Sequence, residues 1–160
     1  MRQTKSATLT QSITPNTIAT LTDISIPMRK GGATNTVGPV PHRQRSERAD
    51  EALVDLLVAK INALAGVSVA TRGGFVGRPF YGQHAPRWNA HIHHYEDGDH
   101  QDGSMHIAMP QSISAQVELA GWGERHPAYP AMLLVYSPRD EAEVDTITQL
   151  VKLSYDFARQ

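Results

Sequence analysis

WNAHIHH at residues 88–94 and SMHIAM at residues 104–109 decide the fold. In the second stretch Met105, Ile107 and Met109 alternate with Ser104, His106 and Ala108, the two-residue period of a β-strand. The first stretch spaces His91 and His93 two apart around Ile92, so both imidazoles project to one side. A polar, Asp- and Gly-rich loop at 95–103 separates the two, and Pro110 stops the second, so they read as an antiparallel pair. With the apolar set of the second strand on a core, His106 shares a face with Ser104. Hairpin pairing brings that face beside His91 and His93.

Downstream, Ser112 to Ala120 reads as a short helix capped by Ser112 and closed by Gly121, and Ala131 to Tyr136 as a buried strand. The last segment, Asp140 to Arg159, carries Val144, Ile147, Val151, Tyr155 and Ala158 at helical spacing, with acidic residues in its first turn complementing the helix dipole. Upstream, Leu53, Leu56, Leu57, Ile61 and Leu64 form the stripe of another long helix, N-capped at Ser46 and stopped near Gly66. Val67 to Thr71 is a short strand candidate, and Phe75 to Tyr81, interrupted by Gly77 and Pro79, an edge strand or loop. The expected fold class is α+β: an antiparallel sheet packed by two long helices, the first and last of the core, with a small inserted helix.

Residues 1–45 differ in character, being dominated by Thr, Ser, Pro and Gly. They read as an extended N-terminal arm or lid, with a strand ending at Pro27, and residues 46–160 as the folded domain. A chain of 160 residues is large enough for one core without staples, and it has no cysteine for a disulfide or thiolate site. Fifteen basic and sixteen acidic side chains are interspersed, so the sequence predicts no nucleic-acid partner. No secretory or membrane-spanning pattern is present, and a cytoplasmic location with no membrane partner is the expectation.

Several spaced motifs carry a resemblance. DGSMHIAMP (102–110), GWGERHP (121–127), VYSPRDE (135–141) and SYDFA (154–158) follow one another in an order that resembles the luciferase-like domain family, mostly uncharacterised bacterial and fungal proteins. The likeness runs from about Ser46 to the C-terminus. The loop between His93 and Asp102 departs from it by added acidic and His residues, Glu96, Asp97, Asp99 and His100. The resemblance implies no agreed set of catalytic residues.

Six of the eight histidines lie between His84 and His106. His91, His93 and His106 are the candidate catalytic residues, and Trp88, Met105, Trp122 and Tyr136 the candidate substrate-binding ones. Three imidazoles on one face with carboxylates nearby also suit a divalent metal, with the same three histidines as ligands. Acid–base chemistry without a metal would pair His106 or His126 with Glu124 or Asp102. Against that pairing, Glu124-Arg125-His126-Pro127 reads as an exposed turn anchored by Trp122. There is no Gly-x-Ser-x-Gly, no phosphate-binding glycine loop and no dinucleotide fingerprint.

Three functional readings follow. The first is a small-molecule-binding protein or cofactor-free enzyme, such as a cyclase or isomerase of secondary metabolism, holding a small apolar molecule in a histidine-lined apolar pocket with the arm as lid. The second is a metal-dependent, oxygenase-like enzyme using the histidine cluster. The third is a non-enzymatic interaction module, forming a homodimer through the N-terminal arm.

Overall fold

The computed structural model describes residues 25–31, 47–69, 75–77, 88–93, 102–126, 129 and 131–158, with the backbone only at 75–77, 88, 89 and 158. In chain order they form α1 (Glu51–Asn62), β1 (Ser68–Val69), β2 (Phe75–Gly77), β3 (Trp88–Ile92), β4 (Met105–Ala108), α2 (Gln111–Leu119), β5 (Gly123–Arg125), β6 (Met132–Val135) and α3 (Glu141–Ala158). The fold is α+β, as the alternation and helical stripes imply.

One six-stranded sheet, entirely antiparallel, has the order β1-β2-β3-β4-β6-β5. β3 and β4 are the expected pair, in a register that sets Ala90 opposite Ile107, His91 opposite His106 and Ile92 opposite Met105. One sheet face carries Ala90, Ile92, Met105, Ile107, Leu133 and Val135, all essentially inaccessible. That face packs in a single core with Leu57 and Ile61 of α1 and Val144, Ile147 and Val151 of α3. Burying one such aliphatic side chain contributes about 1.5–3 kcal/mol, which makes the pleat register the strongest constraint on the fold.

Several local expectations need correction. Asp50, not Ser46, caps α1: its carboxylate accepts the Ala52 amide, and the helix begins at Glu51. The buried stripe of α1 is Val54, Leu57 and Ile61, so it is rotated from the expected one and leaves Leu53, Leu56 and Leu64 partly buried. Pro110, not Ser112, sits at the N-cap of α2, without a side-chain hydrogen bond. Proline lacks only a donor that the first helical turn leaves unused anyway. Of the exposed turn expected at Glu124-Arg125-His126-Pro127, Pro127 lies outside the described residues. In place of the rest, Gly123–Arg125 form the edge strand β5, antiparallel to β6, and His126 follows it with its amide bonded to the Met132 carbonyl. Gly123 permits that approach, because a Cβ there would lie 2.2 Å from the Leu134 carbonyl oxygen.

Of the arm, residues 25–31 are described, and they carry no strand. The strand expected from Thr20 otherwise falls outside the described residues, as do the Ser46 cap and the loop residues 94–101. Residues 25–31 lie against the domain. The Arg29 amide donates to the Ala120 carbonyl, and the Trp122 indole donates to the Pro27 carbonyl. The Arg29 guanidinium is buried over the rings of Trp122 and Tyr136 and pairs with Glu143.

Candidate functional site: the histidine-bearing face of the sheet

The sheet face opposite α1 and α3 is the more polar one and largely buried, with His91 and Glu124 half-buried. Reading the register across it, His91, His106, Leu134 and Glu124 form one row. The next row follows from the continuing backbone bonds, His93 N–H to the Ser104 carbonyl and Tyr136 N–H to the Trp122 carbonyl. It contains His93, Ser104, Tyr136 and Trp122. His93 is 5% exposed, His106 8% and His126 2%. Polar side chains are costly to bury, so the burial of these three histidines sets this face apart from the apolar one.

His91, His93 and His106 converge. Their candidate ligand nitrogens all lie within 4.8 Å of one another, with His91 the most open of the three. The His93 and His106 rings meet edge to face at 4.7 Å, and those of His91 and His93 at 5.3 Å. Nitrogens sharing one tetrahedral ion at bonds of about 2.0–2.1 Å stand roughly 3.4 Å apart, so the set is wider than a closed tetrahedral site.

His93 is held from behind. Its Nδ1 lies 2.8 Å from Ser104 Oγ, which lies 2.6 Å from Asp102 Oδ1. An ionised carboxylate only accepts, so the Ser104 hydroxyl donates to Asp102 and its oxygen accepts from His93 Nδ1–H. In the neutral ring this leaves the Nε2 lone pair as the basic, ligating atom. Asp102 also accepts the Ser104 amide at 2.9 Å, and so closes a tight turn. Gly103 carries the positive φ of that turn, where a Cβ would strike Val54 Cγ2 at 2.7 Å. The Asp-Gly-Ser tripeptide therefore orients His93.

Beyond the triad, His126 packs against His106 at 4.8 Å between ring centroids and against Tyr129 at 4.9 Å. Sequence reasoning put it on an exposed turn. The alternation of Trp122, Glu124 and His126 was the signal that could have placed it on a strand. Tyr136 donates its hydroxyl to Glu124 Oε2 at 3.3 Å. Its phenol is pushed up to about 12, first by burial and then by the charge of Glu124 and that hydrogen bond.

The proposed substrate-binding residues are distributed. Trp122 and Tyr136 lie in the row of His93 and Ser104, with their rings against Arg29. Met105 packs in the apolar core on the opposite face. Trp88 begins β3, and its side chain is outside the described residues. The carboxylate that reaches the triad is Asp102, while Glu96 and Asp97 fall outside the described residues.

Fold and site together define an α+β domain with a buried, histidine-bearing sheet face. Residues 90–154 match the family model described as Luciferase domain, which bears out the resemblance carried by the spaced motifs over that span. The match begins at Ala90, inside β3, and contains His91, His93, Asp102, Ser104, His106 and His126. Proteins named luciferase from Armillaria ostoyae, Armillaria gallica and Armillaria mellea are each 29% identical over 76 residues, 42% of this chain. The chain covers 27% of the length of those relatives. No solved structure matches the chain. Among the described residues, no helix is long and apolar enough to cross a membrane.

Proposed function

We propose that this chain is a small-molecule enzyme whose reaction takes place on the histidine-bearing face, with His91, His93 and His106 as the ligands of a divalent metal. The observation that carries the reading is the convergence of three imidazoles from two strands to within 4.8 Å, one of them held in its ligating tautomer by Ser104 and Asp102. A histidine whose second nitrogen is tied to a hydroxyl–carboxylate pair is the usual second layer of a metal centre. All-imidazole sites suit zinc, iron, copper or nickel, and such an ion supplies Lewis acidity or oxygenase-type redox chemistry.

The chain's own residues do the rest. His91, the most open of the three, marks the side from which a ligand enters. Leu134 in the row of His91 and His106, and the rings of Trp122 and Tyr136 in the next row, favour a small, largely apolar substrate. The name borne by the fungal relatives is that of an enzyme, which supports catalysis over binding alone.

The Asp102–Ser104–His93 chain also favours a second reading, a cofactor-free cyclase or isomerase in which His93 Nε2 serves as the base. Elemental analysis of protein purified without a histidine tag separates the two. About one divalent ion per chain, lost in His93→Ala and His106→Ala while the circular dichroism is kept, is the expected result. Protein that is metal-free and takes up neither zinc, iron nor cobalt on dialysis rules out the metal centre and leaves the acid–base reading.

A further inference from the structure

Ser137 lies between residues 25–31 and the turn that orients His93. It is 1% exposed, and its carbonyl accepts Arg29 Nη2 at 2.8 Å. Its hydroxyl donates to the Glu47 carbonyl, in the segment that leads into α1. Two residues further on, the Ala49 amide donates to the Asp102 carbonyl at 2.9 Å. Gly103, in the middle of the turn, is seated against the same residues. A Cβ there would stand 3.2 Å from Ala49 Cβ and 3.8 Å from Ser137 Cβ. The turn's polar side chains then end on His93 Nδ1, through Asp102 and the Ser104 hydroxyl. A continuous series of contacts thus runs from the arm to the imidazole.

We propose that Arg29 is a positioning residue of the histidine site, holding Ser137 and through it bracing the Asp102–Ser104 turn that orients His93. The proposal rests on the reading that the histidine face is the reaction site, but it requires no metal. The guanidinium suits a brace because it is itself fixed. Glu143 takes its Nε at 3.2 Å and its Nη2 at 2.9 Å, the rings of Trp122 and Tyr136 flank it, and the Arg29 amide is tied to the Ala120 carbonyl at 2.8 Å. Hydrogen bonds weaken steeply with misalignment, so a turn that shifts loosens the bond from Ser104 Oγ to the ring. Coupling of this kind is reciprocal. A ligand that fixes His93 must also tighten the docking of residues 25–31.

Two variants of the full chain release the brace at different points. Arg29→Met with Glu143→Gln removes the donor to Ser137 without stranding a buried charge. Ser137→Ala removes the bond to Glu47 and keeps the carbonyl for Arg29, and it gives the reading should the double variant not fold. Ile147→Val, a core change in α3, is the control for lowered stability alone. Hydrogen exchange of the Ser104 amide, which donates to Asp102 Oδ1 at 2.9 Å, reports the turn. Long-range nitrogen–proton NMR at a fixed neutral pH reports the share of neutral His93 protonated on Nδ1. Both brace variants are expected to speed Ser104 exchange by about two- to thirtyfold and to lower that share, and the control to change neither. Zinc added to the wild type is expected to slow exchange of the Arg29 amide.

An unchanged Ser104 exchange or His93 ring in either variant overturns the brace, as do equal changes in the control. Zinc binding measured on the same samples keeps the two ideas apart. Protein that takes up no zinc but loosens as expected retires the metal centre and leaves the brace standing. Zinc bound with one affinity by the wild type and both variants does the reverse.

Discussion

Replacing Glu143 by glutamine removes the negative charge that fastens residues 25–31 to the domain. The Glu143 carboxylate accepts Arg29 Nε at 3.2 Å and Nη2 at 2.9 Å, and also Arg139 Nε at 2.9 Å and the Arg139 amide at 3.0 Å. The Arg29 and Glu143 side chains are 1% and 8% exposed, so water cannot take over either role. Glutamine keeps the shape but presents an amide N–H to a guanidinium. Arg29 would retain its bond to the Ser137 carbonyl and the faces of Trp122 and Tyr136. Breaking a buried pair from one side in this way costs about 3–5 kcal/mol. For a domain of this size that lowers Tm by roughly 6–20 °C, at about 2–4 °C per kcal/mol.

A double variant, Arg29→Met with Glu143→Gln, removes both charges and keeps an unbranched side chain over the two rings. It is expected to recover most of the loss, because the penalty comes from the stranded charge more than from the missing attraction. Acid unfolding supplies the second arm of the test. Burial alone would raise the Glu143 pKa, but the hydrogen bonds from Arg29 and Arg139 outweigh it and hold the group below its ordinary 4.5. The folded carboxylate therefore takes up its proton less readily than the unfolded one. Its contribution is complete above pH 4.5 and is lost as pH falls through the folded value, a loss that the glutamine variant lacks. Thermal and urea unfolding of wild type, the two single variants and the double variant provide the measurement. A cost below about 1 kcal/mol for Glu143→Gln, or a double variant no more stable than that single one, refutes the reasoning.

Two further outcomes follow from the site. Asp102→Asn leaves an acceptor for the Ser104 amide but weakens the hold on the hydroxyl and, through it, on His93. Zinc affinity measured by chelator competition should fall by about 10–100-fold, and an unchanged affinity would show that the second layer does not orient the ligand. Tyr136→Phe should delete from the near-ultraviolet phenolate titration a component that ionises at about 12. If the difference titration instead shows an ordinary tyrosine, the phenol does not donate to Glu124.

The hairpin and its histidine face were legible in the sequence because side-chain alternation is a local consequence of the strand. His91, His93 and His106 needed only a period of two and one antiparallel turn to meet, and the register has His91 directly opposite His106. The last helix was equally plain, since its apolar stripe repeats at helical spacing over 18 residues. The start of α1 was less so. Ser46 and Asp50 are both good N-caps, and the choice between them lies with Asp50 and with the Ala49 amide, which bonds back to the Asp102 carbonyl. His126, a candidate in the acid–base reading, reads as part of an exposed turn because Glu124, Arg125 and His126 lie between a glycine and a proline. Only the pairing of Gly123–Arg125 with β6 and the bond from the His126 amide to the Met132 carbonyl extend the segment.

Residue order alone sets which side chains share a face of each strand and helix, and hence the fold class and the three-histidine cluster. The tertiary structure alone decided which polar groups are buried and what they do. Arg29 and Glu143 are 114 residues apart, and no local pattern announces their pairing. The tautomers of His93 and His126 are prescribed by a serine hydroxyl and a backbone amide whose directions come from turns, not from residue type. Periodicity is a property of neighbours along the chain, whereas protonation and charge burial depend on whatever the closed chain brings within hydrogen-bond reach.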